Sequence, residues 1–134
     1  MEQLPQERLL VAVSNVAAME FCLTETLRYV RDRSAFGRPI WGFQNTKFKM
    51  AEVATEARVA RAFVDECIEL HLDGKLDIPT AAMAKLWCSE RAQRVADACL
   101  QAARRVWLHE RVPHRPRLGR PARLPDLRRQ ARRS

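Results

Sequence analysis

The sequence lacks the features that mark a membrane span, a secreted domain or a metal site. It has no unbroken apolar run of the roughly 18 residues that a transmembrane helix needs, since Ser14, Asn15 and Glu20 interrupt the stretch 9–23. Its four cysteines form no CxxC pair, and no histidine stands at helical ligand spacing from a cysteine. The apolar stretch is not preceded by the positively charged region that a signal peptide carries at its start. We therefore expect no metal, no membrane partner, and buried thiols in a reducing, cytoplasmic compartment.

Net charge is almost absent from the first three quarters of the chain. The 134 residues carry a formal charge of +8, yet residues 1–101 hold 13 Lys and Arg against 14 Asp and Glu. Residues 102–134 hold 11 arginines, no lysine and 2 acids, together with four of the seven prolines. The composition thus predicts two segments, a balanced domain over 1–101 and an Arg/Pro-rich tail over 102–134 that we expect to be disordered.

The N-terminal segment shows apolar residues at helical spacing and no β-alternation of useful length. The apolar stripes span residues 9–30, 50–71 and 83–99, and glycine and proline interrupt them at 37–42 and 73–74. This pattern predicts an all-α fold of three long antiparallel helices, each roughly 40 Å long. Three such helices make an incomplete up-down four-helix bundle with one side of the core open. An open apolar side calls for a fourth helix or a partner chain.

Three ordered segments resemble one known family. The segment Leu4–Leu9 opens the first helix, Tyr29–Ile40 and the Phe-Gln pair after it fill the first connection, and Ala81–Gln101 forms the third helix. Together they resemble the C-terminal helical domain of the acyl-CoA dehydrogenases, closest to the long-chain and isovaleryl types. The resemblance covers residues 1–101 nearly continuously, and its most specific part is the Arg-x-Ala-Phe-Gly run.

The resemblance implies a flavin enzyme that oxidises the Cα–Cβ bond of an acyl-CoA, with FAD as the hydride acceptor and this domain at a homo-oligomer interface. In the long-chain and isovaleryl branches the base that removes the α-proton lies in the first helix of this domain, and Glu7 matches it. A carboxylate that is desolvated against flavin and acyl chain becomes a stronger base. Spacing alone instead favours Glu7 as a first-turn acid that complements the helix dipole.

Five further residues match family positions at the substrate or the cofactor. Arg8 matches a residue beside the substrate. Arg33 matches the arginine that binds the FAD pyrophosphate across a subunit interface, a task that suits a planar guanidinium. Phe36 and Gln44 match residues that contact the FAD of the neighbouring subunit, and Gln101 matches the glutamine before the glycine-rich flavin loop. Judged by residue type alone, the arginines are surface cations and Phe36 is a core side chain.

The sequence departs from the family at both ends. Nothing before Met1 corresponds to the family's N-terminal helical and central β domains, so we expect a truncated fragment that is inactive alone. After Gln101 the family continues Leu-His-Gly-Gly-x-Gly-Tyr, and this chain does not. With suitable codons for Ala102–His109, omission of one base yields Leu-His-Gly-Gly-Tyr-Gly-Tyr, and later family segments follow in order as far as Arg129. We therefore expect that an inserted base after the Gln101 codon shifted the reading frame.

Two functions of other classes stay open at this point. The arginines of the tail would bind nucleic-acid phosphates non-specifically and with strong salt dependence. The tail has a single aromatic residue, Trp107, and no recognition motif, which argues against sequence-specific binding of nucleic acid. Alternatively, the open side of three helices would serve a non-catalytic interaction module.

Overall fold

The architecture consists of three long helices joined by two tight connections. A computed structural model describes residues 3–35 and 37–111. In chain order the elements are α1 (Gln3–Asp32), β1 (Ser34–Ala35), β2 (Arg38–Pro39), a 3-10 turn (Ile40–Gly42), α2 (Gln44–Leu72) and α3 (Ile78–Arg111). The two short strands pair antiparallel within the first connection. The predicted all-α fold of three long helices is confirmed.

The helices run alternately up and down. Each connection reverses the chain, so that α2 lies antiparallel to α1 and α3 lies antiparallel to α2. The helices α1 and α3 therefore run parallel, and they form the most extensive contact in the bundle. Midway along this contact the Asn15 amide donates a hydrogen bond to the Ser89 hydroxyl at 2.9 Å. Within residues 3–35 and 37–111, the arrangement is that of three helices of an up-down bundle.

Small and medium-sized apolar side chains form the core between the helices. The buried members are Leu9, Ala12, Val16 and Met19 of α1, Val53, Ala57, Ala60, Val64 and Cys67 of α2, and Ala84, Cys88, Val95 and Cys99 of α3. Alanine and cysteine occupy about half of these positions, which allows the helix axes to approach closely. The stripe that the sequence predicts for α2 is buried from Met50 to Cys67, and its last two members, Ile68 and His71, are half-buried.

The prediction of which α3 residues face the core is partly wrong. Met83 and Leu86 were expected to face the core, but their side chains are 55% and 64% exposed. They line an apolar groove of about 370 Å³ between α2 and α3, together with Val59, Phe63 and Trp87. The groove is an apolar surface that no described element covers, so Met83 and Leu86 are apolar without being buried.

The connection between α2 and α3 contains the stop that the sequence predicts at 73–74 and a helix cap that it did not predict. Gly74 has a φ of +69°, a left-handed conformation that closes the end of α2. Its N–H donates to the His71 carbonyl at 3.0 Å. At the start of α3 the Asp77 carboxylate accepts a hydrogen bond from the Thr80 N–H at 2.8 Å. This hydrogen bond caps the helix. The side-chain hydrogen bond with Thr80 and, second to it, this backbone hydrogen bond lower the pKa of Asp77.

The helix α3 does not end at the domain boundary placed after residue 101. It continues to Arg111, and Val106 is buried against Val30 and Ile40 in a second small core. The reason is local, because Ala, Arg and Leu are strong helix formers and no proline or glycine intervenes. Disorder beginning at residue 102 is therefore wrong for 102–111. The expectation of disorder also covers residues 112–134, which lie outside the described residues.

The helix α1 is long and apolar enough, by length and composition, to cross a membrane. The sequence interpretation considered only unbroken apolar runs and did not anticipate this. Core helices of soluble proteins meet the same criterion, and α1 packs its buried side chains against both other helices.

Candidate functional site

The predicted site residues lie at opposite ends of the bundle. Glu7 and Arg8 are in the second turn of α1, whereas Arg33 follows the last residue of that helix. The 26 positions between Glu7 and Arg33 correspond to about 39 Å along a helix. A single copy of the chain therefore cannot bring the predicted base and the predicted pyrophosphate ligand to one site.

Glu7 presents an exposed carboxylate at the open end of α1. The helix begins at Gln3, and its first turn carries no acid. Glu7 is exposed, Arg8 is half-buried and Leu9 enters the core. Among the residues that the structure describes, no cation pairs with the Glu7 carboxylate. Because Glu7 lies beyond the first turn, an interaction with the helix dipole explains it less well. Its exposed carboxylate is accessible to an external group.

The three described cofactor candidates lie toward the other end of the bundle. Arg33 is exposed beside the hairpin, Gln44 is the exposed first residue of α2, and Gln101 is exposed on α3. Phe36 lies outside the described residues. The N–H of Ile40 donates to the Arg33 carbonyl at 3.0 Å and fixes the hairpin against the turn that precedes α2.

Two clefts open at this end. One has a volume of about 240 Å³ and an apolar floor that includes Ile40, while Lys49, Gln101 and Arg105 contribute polar groups to its wall. The other has a volume of about 420 Å³, and Tyr29 and Arg33 lie in its lining. The lining of the first cleft holds two cations and no acid, which favours an anionic ligand there. In the second cleft Glu25 and Asp32 offset the two arginines, so its lining carries no net charge.

Three arginines in the last turn of α1 and the connection after it are stacked on aromatic rings, a feature that the sequence analysis missed. Each guanidinium carbon lies 5.0 to 5.5 Å from a ring centroid. The pairs are Arg31 over Trp41, Arg33 over Tyr29 and Arg38 over Phe43. All three rings pack against the small core of Val30, Ile40 and Val106. The spacing of Tyr29 and Arg33, four residues apart near a helix end, was a usable signal for one of these pairs.

Ion pairs between helices are structural. The guanidinium of Arg61 on α2 donates to both carboxylate oxygens of Glu20 on α1, at 2.8 and 2.6 Å. These hydrogen bonds hold the pKa of Glu20 below its ordinary value. Glu56 on α2 lies 3.8 Å from Arg91 and 3.7 Å from Arg94 on α3. The pairs link neighbouring helices at mid-bundle, away from both groups of candidate residues.

Three of the four cysteines are buried thiols. Burial raises the pKa of the thiols of Cys67, Cys88 and Cys99, so these residues are protonated at neutral pH. Within residues 3–35 and 37–111, no group of three or more His, Cys, Asp or Glu side chains could hold a metal ion.

Comparison with known proteins places this arrangement in a family. The family model described as "Acyl-CoA dehydrogenase, C-terminal domain" matches residues 1–103, and the chain belongs to this family. The long-chain specific acyl-CoA dehydrogenase of Rattus norvegicus is 48% identical over 101 residues, which are 75% of this chain and 24% of that protein. The isovaleryl-CoA dehydrogenase of Oryza sativa subsp. japonica is 37% identical over 101 residues, 75% of this chain and 25% of that protein.

Solved structures agree with the sequence match. The acyl-CoA dehydrogenase from Geobacillus kaustophilus superposes with a TM-score of 0.75 at 44% identity, over 77% of this chain and 27% of that one. The resemblance to the long-chain and isovaleryl types is thus confirmed. The chain spans about a quarter of the length of the curated relatives that it matches.

Proposed function

We propose that this chain is the C-terminal helical part of an FAD-dependent acyl-CoA dehydrogenase, which forms an α,β double bond in an acyl-CoA thioester. The observation that carries the proposal is the match of residues 1–103 to the family's C-terminal domain. The exposed carboxylate of Glu7, past the first turn of α1 and unpaired within the described residues, supports its assignment as the base.

The proposed chemistry divides between the chain and its cofactor. The Glu7 carboxylate takes the α-proton of the acyl group, and Arg8 on the next position borders the substrate. Bound FAD would supply the acceptor for the β-hydride, so that loss of a proton and a hydride leaves a Cα–Cβ double bond. Removal of a proton by a positioned carboxylate contributes about 100-fold to 10,000-fold to such a rate.

The length of α1 supports a site shared between subunits. The distance of about 39 Å between Glu7 and Arg33 separates the base from the diphosphate ligand. Glu7 then serves one active site, and Arg33 serves the flavin of a neighbouring subunit together with Phe36, Gln44 and Gln101. Because one chain holds only part of each site, we expect the isolated chain to show no turnover.

A chimera tests the proposal. Residues 1–101 replace the matching segment of the long-chain relative, which supplies the other domains. We expect the chimera to retain visible flavin absorbance and acyl-CoA-dependent dye reduction. In the chimera, Glu7→Gln should keep the flavin and lower kcat by about 100-fold or more, because the amide cannot accept the α-proton. Glu66→Gln, at an exposed glutamate of α2, is the matched control and should leave kcat unchanged.

Two results would contradict the proposal. The first is a Glu7→Gln chimera as active as its parent, which would remove Glu7 from the chemistry. The second is a folded chimera that takes up no flavin, which would show that residues 1–101 cannot replace the family domain.

A further inference from the structure

We propose that the end of the bundle where α1 and α3 finish binds the phosphate backbone of nucleic acid, together with residues 112–134 that follow it. This end, here called the basic end, comprises residues 25–49 and 101–111. The sequence analysis attributed phosphate binding to the tail alone, and the structure adds a folded surface to it. The inference goes beyond the proposed function and does not depend on it.

The basic end is one contiguous surface built from all three helices. Val106 of α3 is buried against Val30 of α1 and Ile40 of the 3-10 turn. The cleft of about 240 Å³ at this end is lined by residues of these elements and of α2, with Lys49 and Arg105 in its wall. Residues that are far apart in the sequence thus share one end of the molecule.

Charge is strongly divided between the basic end and the rest of residues 1–111. The basic end holds nine Lys and Arg against three Asp and Glu. Residues 1–24 and 50–100 hold seven Lys and Arg against 12 Asp and Glu. The folded part of the chain is therefore polarised, with a formal charge of +6 at one end and −5 elsewhere.

Two arginines of the basic end are held by aromatic rings. Arg31 stacks on Trp41 and Arg38 on Phe43, with the guanidinium carbon 5.1 and 5.5 Å from the ring centroid. Within residues 3–35 and 37–111, no carboxylate pairs with either of them. Contact through the face of a guanidinium leaves the N–H groups of its planar edge for phosphate oxygens.

The last turns of α3 add two more cations. Arg104 and Arg105 are exposed, and neither has a carboxylate partner among the described residues. Arg28 and Lys49 do have one, at 3.7 and 3.1 Å, in pairs whose members are all largely exposed. Exposed pairs of this kind are weak, so a phosphate can replace the carboxylate.

The chain that follows the basic end carries the same charge. The helix α3 ends at Arg111, and residues 112–134 hold eight arginines, no lysine and one acid. A guanidinium binds two phosphate oxygens through parallel N–H groups. Duplex nucleic acid presents one negative charge per about 1.7 Å of its axis, so a single polymer can contact the basic end and the following segment together.

Composition and charge favour nucleic acid over an anionic membrane as the partner. Residues 112–134 contain no Phe, Tyr or Trp, and such side chains anchor a basic segment in a lipid surface. The acidic remainder of the bundle repels any polyanion, so the basic end faces the nucleic acid and the rest of the bundle points away from it.

The test neutralises two different pairs of cations in the full 134-residue chain. Arg104→Gln with Arg105→Gln removes two charges from the basic end. Lys75→Gln with Lys85→Gln, the matched control, removes two charges from exposed positions elsewhere. Circular dichroism and urea denaturation verify that both double variants are folded. The probe is a short fluorescein-labelled DNA duplex of mixed sequence, whose anisotropy is measured over a range of sodium chloride concentrations.

We expect the parent chain to bind the duplex with an affinity that falls steeply as salt rises. In Arg104→Gln/Arg105→Gln the dissociation constant at about 0.1 M salt should rise about fivefold or more, and the slope of log K against log salt should become shallower by about 2. Lys75→Gln/Lys85→Gln should match the parent in both, because charges more than about 10 Å from the phosphates are screened at this salt concentration.

Three results would overturn the inference. Equal losses in the two double variants would show that affinity follows net charge and not the basic end. Absent binding, or binding that does not change with salt, would remove the phosphate contacts. Tighter binding to vesicles of phosphatidylcholine and phosphatidylserine than to the duplex would replace nucleic acid by a membrane as the partner. None of these results bears on Glu7, which is tested in a chimera that lacks residues 102–134.

Discussion

Val106 offers a direct measure of how far the folded domain extends. Its side chain is 1% exposed and packs with Val30 and Ile40, which are 0% and 6% exposed. Val106→Ala removes two buried carbon groups, worth about 0.8 kcal/mol each in transfer free energy. The cavity that remains adds to this loss, so we expect the free energy of unfolding to fall by about 1.5 to 2.5 kcal/mol.

Urea denaturation of the full chain, followed by far-ultraviolet circular dichroism, measures the change. Leu108→Ala is the matched control, because that side chain lies on the same turn and is 45% exposed. The control should change the free energy of unfolding by no more than about 0.5 kcal/mol. If Val106→Ala also stays within that range, residues beyond 101 do not pack as described, and the boundary first placed after Gln101 would stand.

Two further predictions concern an ion pair and the coding sequence. Glu20→Gln should lower the free energy of unfolding by less than about 1 kcal/mol near pH 7, because both partners are partly exposed. Arg61 depresses the pKa of Glu20 in the folded chain. The stabilisation by this ion pair is therefore complete above the pKa of Glu20 in the unfolded chain and is lost as the pH falls through its pKa in the folded chain. If Glu20→Gln remained less stable than the parent in acid, the ion pair would not be the source of the difference. Resequencing the coding DNA should show Ala102 as GCT, Ala103 as GCA and His109 as CAT, and other codons there would refute the frameshift.

Local patterns predicted most of the helical architecture. The stripe of α2 and the stop at Gly74 depend on interactions within a few residues, namely helical periodicity and a left-handed glycine. The start of α3 depends on an equally local signal, the cap that Asp77 provides, which the sequence analysis did not single out. Such signals are complete within one segment of sequence, so they need no knowledge of the partner elements.

Features that depend on packing were predicted less well. Met83 and Leu86 have the same periodicity as core residues, and only the position of α2 reveals that they line an open groove. The ring beneath Arg33 likewise depends on where α1 ends and how Tyr29 meets the small core. The family resemblance located Glu7 and Arg33, but it did not show that a single copy holds them about 39 Å apart.

The continuation of α3 past Gln101 is compatible with the frameshift hypothesis. Helix formation in residues 102–108 follows from their composition, since Ala, Arg and Leu extend an existing helix whatever the origin of the codons. Burial of Val106 then requires only an apolar residue at the position that meets Val30 and Ile40. An out-of-frame segment can therefore be helical and packed without carrying the family's flavin loop. For this reason the two experiments address different properties: Val106→Ala tests the fold of the chain, and the codons test its history.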